Sequence, residues 1–290
     1  MIYLILAIII STSIVITFRL FSRYAINNTQ AITTNYLVAA ILSFSMHPET
    51  YSFAGLPEKN WFIFSCIIGV TFILTFFLFA LSAQKVGVAI TSVTSKMSVV
   101  IPVSIGIFLY AEPLTILKLA GILISLLAFY LTFKKKSNTR IDYRLIILPI
   151  FLFLGNGAND SLTKHATTKL LDFGNDFMLF LGVVFSVSFL IGVGIWLFSS
   201  LRKSTPAARL TLKSILAGTW LGLLNFGSSY YFIVALGYFD SSVFFPIFNV
   251  SIVGLSALSG FFLFREKLLP VNWIGIFLAV CAIILVALGS

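Results

Sequence analysis

The sequence predicts an all-α integral membrane protein in which ten transmembrane helices form two inverted five-helix repeats. Three observations lead to this prediction. Of the 290 residues, 59% are hydrophobic and 10% are charged; apolar runs recur along the whole chain; and one pattern of residues occurs twice. Water-soluble domains carry about 25% charged residues, so this composition excludes an ordinary soluble fold with a charged surface.

Ten apolar runs, each bounded by charged residues, Pro or Gly, are the predicted spans. About 20 apolar residues cross the hydrocarbon layer of a bilayer as a helix. The runs lie at residues 2–22, 30–46, 61–84, 87–110, 114–133, 145–166, 176–198, 211–236, 241–264 and 269–288. The connectors between them are short, which leaves no room for a separate soluble domain.

The basic residues predict an orientation in the membrane. When each basic residue near the end of a span is counted with the adjoining connector, odd-numbered connectors have 14 of the 19 Lys and Arg residues and even-numbered connectors have 4, while Lys96 lies well inside a span. Because cytoplasmic loops are enriched in Lys and Arg, we expect the odd connectors in the cytoplasm and both termini outside. The expected location is the plasma membrane, which is the inner membrane of a bacterium, and the expected surroundings are a lipid bilayer. The basic residues form short clusters and no continuous stripe, so no nucleic-acid partner is predicted.

A repeat relates the two halves of the chain. The segment Tyr110-Ala-Glu-Pro-Leu matches Phe264-Arg-Glu-Lys-Leu, and Gly121 matches Gly275, at a spacing of 154 residues, the difference between positions 275 and 121. The same register places the run that begins at Phe76 on the run that begins at Tyr230. Because each half contains five spans, an odd number, the half at 137–290 is predicted to be inverted relative to the half at 1–136.

Each half thus contains an aromatic-rich span, a short turn, a span that ends in an aromatic residue near Glu, and a final span with Gly. This doubled pattern resembles the drug/metabolite transporter superfamily of the EamA type. The resemblance covers nearly the whole chain. It implies a substrate cavity between the two five-helix halves and peripheral fifth and tenth spans. The sequence departs from the common family pattern at Ser95-Lys96-Met97-Ser98, before Pro102, where many members have small and apolar residues.

Lys96 is the first candidate for substrate contact. If the fourth span begins near Gly87, Lys96 lies about 14 Å deep, close to the middle of the bilayer. A Lys facing lipid there costs roughly 2.5 to 3.5 kcal/mol, so its side chain is expected to face the helix bundle or a wet cavity. It either contacts the substrate or a coupling ion, or is a structural Lys paired within the bundle.

Polar residues in the fourth and ninth spans extend this candidate substrate site. Ser95 and Asn249 stand 154 residues apart and are both expected near the middle of the membrane. Pro102 and Pro246 are predicted to break their helices and open backbone carbonyls toward a cavity. The alternative is that these small and polar residues mediate helix packing.

The sixth and eighth spans supply the remaining candidates. One broad face of the sixth span carries Asn156, Asn159, Asp160 and Lys164, which we interpret as a gate or vestibule or, alternatively, as a polar seam between helices. Arg19 in the first span belongs to the same predicted gate, or is a basic residue flanking the membrane. Asn225 and Tyr230 in the eighth span are predicted to line the substrate site, with packing between helices as the alternative.

The predicted function is secondary transport, specifically export, of a small metabolite such as an amino acid or another carboxylate-bearing compound, by alternating access. A proton is the candidate coupling ion, and the protein is expected to be a monomer or homodimer. The alternatives are a membrane-embedded enzyme or a channel acting on a small polar or lipid-linked substrate. His47 and His165 do not have catalytic spacing, and Cys66 and Cys281 lie singly in apolar runs, so no catalytic residue, metal site or cofactor is predicted.

Overall fold

The computed structural model describes residues 1–47, 52–85, 95, 98–110, 115–133, 147–171, 176–202, 211–264 and 269–288. Regular secondary structure in these ranges is entirely helical, which confirms the all-α class. The α-helices there are α1 (Ile2–Arg23), α2 (Asn28–Ser45), α3 (Phe62–Lys85), α4 (Val100–Tyr110), α5 (Ile116–Phe133), α6 (Ile147–His165), α7 (Phe177–Arg202), α8 (Leu212–Leu236), α9 (Ser241–Phe264) and α10 (Pro270–Leu288). A 3₁₀-helix at Phe53–Glu58 precedes α3, and a π-helix at Ala166–Leu170 continues α6.

Local chemistry explains several helix ends. The side chain of Asn27 accepts a hydrogen bond from the backbone N–H of Gln30 at 3.2 Å, a standard N-cap at the start of α2. Helix α10 begins with Pro270, whose missing N–H costs nothing at a first helical position. The side chain of Asn272 accepts from the backbone N–H of Leu269 at 2.7 Å, which stabilises the same helix start.

The chain divides into two compact units. Unit 1 contains residues 1–73 and 165–234, and unit 2 contains residues 74–164 and 235–290. Each unit therefore takes segments from both halves of the sequence. The division at residues 136 and 137 is a property of the predicted sequence repeat, and as a division into domains it stays a prediction.

In unit 1, α2 lies antiparallel to α7 and parallel to α8. Toward the end of α2, Phe44 faces Gly182 near the start of α7, while Thr33 near the start of α2 faces Gly192 farther along α7. This pairing of early with late residues requires antiparallel helices. Toward α8 the order is the same in both helices, because Gly218 faces Ala31 and Gly222 faces Val38.

Two further contacts complete unit 1. The hydroxyl of Ser188 in α7 donates to the backbone oxygen of Gly69 in α3 at 2.8 Å, where the missing side chain of Gly69 lets α7 come close. Helix α1 is antiparallel to α8, since Tyr24 at the end of α1 contacts Lys213 at the start of α8, and Tyr3 stacks on Tyr231. The fully buried side chains of this unit include Trp61, Ile68, Phe180, Leu181 and Phe185.

In the described part of unit 2, α5 packs extensively against α10. Asn272, near the start of α10, donates to the backbone oxygen of Leu131, near the end of α5, at 3.0 Å. Because the helices pair along their length and the start of one meets the end of the other, they are antiparallel. Helix α9 packs against α4, α5 and α10 in the same unit.

Two helices in the described ranges contain apolar stretches long enough to cross a membrane, at Phe62–Phe79 in α3 and Phe177–Phe198 in α7. Shorter apolar stretches lie in α1, α5, α9 and α10. Core helices of soluble proteins pass the same test of length and composition. These features indicate two candidate spans, and membrane crossing by all ten helices stays a prediction.

Candidate functional site

A polar cluster in unit 2 brings together three predicted site residues. The side-chain amide of Asn156 in α6 donates to the hydroxyl of Ser95 at 2.6 Å. One turn farther along α6, the amide of Asn159 donates to the hydroxyl of Thr75 in α3 at 3.3 Å. Asn159 is only 4% exposed, whereas Asn156 is partly exposed. The Asn156–Ser95 pair is therefore the less buried part of this cluster.

Two glycines let the neighbouring segments approach α6 at this cluster. A Cβ atom added to Gly155 would lie 2.5 Å from the methyl carbon of Thr75, and one added to Gly157 would collide with the side chain of Ile101 in α4. Neither position has room for a larger residue without displacement of its neighbour. The Gly-Asn-Gly sequence at 155–157 thus places the Asn156 amide between two close helix contacts.

A turn at Ser98 and Val99 directly precedes α4. The hydroxyl of Ser98 donates to the backbone oxygen of Ser95 at 2.6 Å. Pro102, a predicted helix break, is the third residue of α4 and is buried; its missing N–H is tolerated there, since the first N–H groups of a helix have no helical acceptor. Lys96, the first predicted substrate contact, lies outside the described residues.

Lys164, predicted to belong to a gate, contacts backbone carbonyls. Its ammonium group donates to the oxygen of Phe239 at 3.0 Å and to that of Leu236 at 3.4 Å, and the residue is only 9% exposed. Leu236 ends α8, and Phe239 lies in the short connector to α9. Asp160, one helical turn before Lys164, is partly buried on α6.

The ninth helix contributes two more predicted positions to unit 2. Asn249 is buried in α9, in the same unit as Ser95. Pro246 is the sixth residue of α9, and the helix is continuous on both sides of it.

The other predicted residues lie in unit 1. Asn225 is partly exposed on α8. Tyr230 belongs to an aromatic cluster, with ring centroids 5.4 Å from Phe177 and 5.1 Å from Tyr231. Arg19 lies on α1, and its side chain is outside the described part of the structure. The predicted substrate-binding residues are therefore divided, with Ser95 and Asn249 in unit 2 and Asn225 and Tyr230 in unit 1.

Sequence reasoning missed several polar residues inside the units. Ser11 in α1 was not singled out, and its hydroxyl shares a hydrogen bond of 2.6 Å with the hydroxyl of Ser228 in α8, a serine that the sequence placed among the polar residues of the eighth span. Asn35 in α2 is 1% exposed, and its side-chain oxygen has no hydrogen-bond partner within the part of the chain that the structure describes. A lone Asn or Thr in an apolar run, such as Asn35 or Thr75, was the available signal. Among the described residues, His, Cys, Asp and Glu side chains form no group of three or more that could hold a metal ion.

Comparison with known proteins establishes the fold and leaves the family open. No family model matches the sequence. An uncharacterized protein from Haemophilus influenzae is 23% identical over 291 residues, which covers 97% of this chain and 95% of the relative. A solved crystal structure matches with a TM-score of 0.77 and 12% identity, covering 99% of this chain and 96% of the other. The fold is therefore one already seen along nearly the full length of another protein.

Proposed function

We propose that this chain is a secondary transporter of the drug/metabolite transporter type, which exports a small carboxylate-bearing metabolite such as an amino acid across the plasma membrane. The observation that carries the proposal is the antiparallel packing of helices that correspond in the sequence repeat, α2 with α7 and α5 with α10. The helices α5 and α10 begin at Ile116 and Pro270, which are 154 residues apart, the spacing of the repeat.

Antiparallel repeat mates are what an inverted-repeat transporter requires. In that architecture a two-fold axis in the membrane plane relates the halves, so each helix has a mate of opposite direction. The proposed protein crosses the bilayer ten times, with residues 1–136 and 137–290 as its two repeats. Such symmetry supports alternating access, because equivalent helix contacts can form at either end of the protein and close the substrate pathway there.

Exposed apolar surface supports the proposed membrane location. On α10, Phe277, Val280, Ile284 and Leu288 recur at helical spacing with at least half of each side chain exposed. Helix α5 exposes Leu123 and Leu127 in the same manner. Soluble monomers rarely expose continuous apolar stripes of this kind, whereas lipid tails cover them at no cost.

The chemistry of the candidate site supports a polar substrate of small size. Asn156 and Ser95 offer an amide and a hydroxyl. Both groups are uncharged, and each can hydrogen-bond to a carboxylate or to an ammonium group. The preference for an anionic group comes from Lys96, whose central position is a sequence prediction.

Counterflow in proteoliposomes tests the proposal. Vesicles loaded with a single unlabelled amino acid or organic acid are diluted into the same compound in labelled form, and a panel of such compounds is screened. Transient accumulation of label that saturates with concentration is expected for one compound class and absent from protein-free vesicles. A pH gradient is then imposed to test proton coupling. Flux that never saturates and shows no counterflow would instead indicate a channel, and chemical conversion of the compound would indicate an enzyme.

A further inference from the structure

The ammonium group of Lys164 occupies a position suited to a monovalent cation. It donates hydrogen bonds to the backbone oxygen of Leu236, at the end of α8, and to that of Phe239, in the connector that follows. The last four carbonyls of a helix have no helical partner, so the oxygen of Leu236 is available to a cation. The negative end of the α8 dipole lies at the same place.

In inverted-repeat transporters, backbone carbonyls at the C-terminal ends of discontinuous helices coordinate a coupling cation such as sodium. In this protein the backbone oxygens of Leu236 and Phe239 bind the ammonium group of Lys164, which is part of the chain itself and lies on α6. The burial of Lys164 limits competition from water for the two carbonyls. The side chain also joins α6 to the α8–α9 connector, as an ion shared by two segments would.

We propose that the Lys164 ammonium replaces a coupling cation at the end of α8, so that the protein binds and transports without added sodium or potassium. This inference rests on the proposed transport function, and it predicts a latent cation site. When Lys164 is removed, small ammonium ions or a monovalent metal ion should bind the vacated carbonyls of Leu236 and Phe239.

Thermal unfolding of the purified protein tests the site without any knowledge of the substrate. Lys164→Ala should lower Tm by roughly 5–10 °C, because one buried and one partly buried carbonyl lose a charged donor. Ethylammonium chloride should restore at least half of that loss, ammonium and sodium less, and choline, which is too large, none. Lys169→Ala, which removes an exposed Lys from the adjoining π-helix, is the matched control and should respond to none of these ions.

The outcomes of these measurements separate the proposal from its alternatives. If Lys164→Ala has an unchanged Tm, or if no ammonium ion restores it, the contact is incidental and the proposal is wrong. If that variant does not yield folded protein, Lys164→Gln takes its place in the same titration. Lys164→Arg retains the charge and should keep Tm within about 3 °C of that of the unaltered protein.

In counterflow, the unaltered protein should transport equally in sodium and choline media; a tenfold dependence on sodium would overturn the proposal. Absence of transport altogether would count against the proposed function, and the unfolding titration would still decide the cation site.

Discussion

Lys59 and Lys213 stand 154 residues apart, and each contacts the connector between the first two helices of the opposite half of the sequence. The ammonium of Lys59 lies 2.9 Å from the carboxylate of Asp176, between α6 and α7. The ammonium of Lys213 donates to the backbone oxygen of Tyr24 at 2.7 Å, between α1 and α2, and lies 5.6 Å from the centre of its ring. The repeat spacing found at Glu112 and Glu266 therefore extends to a pair of lysines in unit 1, which contact corresponding connectors through different kinds of acceptor.

These two lysines make the predicted inversion testable by labelling from the two sides of the membrane. Helix α2 is antiparallel to α7 and parallel to α8, so α7 and α8 are antiparallel to each other. Lys59 contacts Asp176 just before the start of α7, and Lys213 lies at the start of α8. The two lysines therefore lie at opposite ends of unit 1. In a protein lacking Cys66 and Cys281, we expect an impermeant thiol reagent to label Lys59→Cys in intact cells. Lys213→Cys should react only after permeabilisation, as the distribution of basic residues predicts.

Both lysines are exposed, so their loss should disturb the fold little, and poor reactivity would not reflect burial. Full labelling after permeabilisation is the control for each variant. If both cysteines react from the same side in intact cells, the inverted arrangement of the halves is incorrect.

A second prediction concerns the glycines at the α2–α8 contact. A Cβ atom at Gly218 would lie 2.6 Å from the backbone oxygen of Ala31, which cannot move independently of α2. Gly218→Ala should therefore lower the free energy of unfolding by about 1–3 kcal/mol, the usual cost of overpacking. The measurement is Tm in detergent, followed by tryptophan fluorescence.

Gly227 in the same helix provides the matched control. A Cβ atom there would meet Ile10 at 3.5 Å, an ordinary van der Waals distance. Gly227→Ala should leave stability unchanged or raise it by up to about 1 kcal/mol through helix propensity. If both alanine variants lose the same amount of stability, the collision with Ala31 is not the reason that Gly218→Ala is destabilising.

The helices were predictable from the sequence because hydropathy changes abruptly at their ends. The predicted segments at 114–133 and 269–288 agree with α5 and α10 to within two residues at either end. At α2 the prediction began at residue 30, whereas the helix begins at Asn28. The signal missed there is the capping side chain of Asn27, a local hydrogen bond that hydropathy does not register.

The site was less predictable because its contacts depend on which helices become neighbours. Asn156 was identified as a polar residue in an apolar helix, but its partner Ser95 is 61 positions away. Lys164 was assigned to a gate, and its acceptors are backbone oxygens, which every residue possesses and which leave no mark in a sequence. Composition thus locates polar side chains, and tertiary packing decides what they bind.

A third prediction concerns Lys96 and rests on the sequence. Lys96→Met keeps the apolar stem and removes a charge whose insertion at the bilayer centre costs roughly 2.5 to 3.5 kcal/mol, so the variant should insert at least as well as the natural chain. Transport of an anionic substrate should nevertheless fall at least tenfold, with partial recovery in Lys96→Arg, where the charge is kept. Expression level and counterflow are measured on the same preparations. Normal counterflow by Lys96→Met would identify Lys96 as a tolerated charge without a role in binding.

The last prediction concerns the Asn156–Ser95 pair. If the amide and hydroxyl act together to bind substrate, Asn156→Ala and Ser95→Ala should each lower transport, and the double variant should be no worse than the poorer single one, because residues that act as a pair are not additive. The hydrogen bond itself contributes only about 0.5–1.5 kcal/mol to folding, so all three variants should remain folded.

Ser161→Ala is the matched control, since the Ser161 hydroxyl on the same helix donates to the backbone oxygen of Gly157 at 2.7 Å and makes that bond within α6. It should retain transport near that of the unaltered protein. The decisive comparison is the apparent affinity measured in counterflow against Tm for each variant. A binding pair weakens affinity at nearly constant Tm, whereas a purely structural pair lowers Tm and leaves the affinity of the folded fraction unchanged.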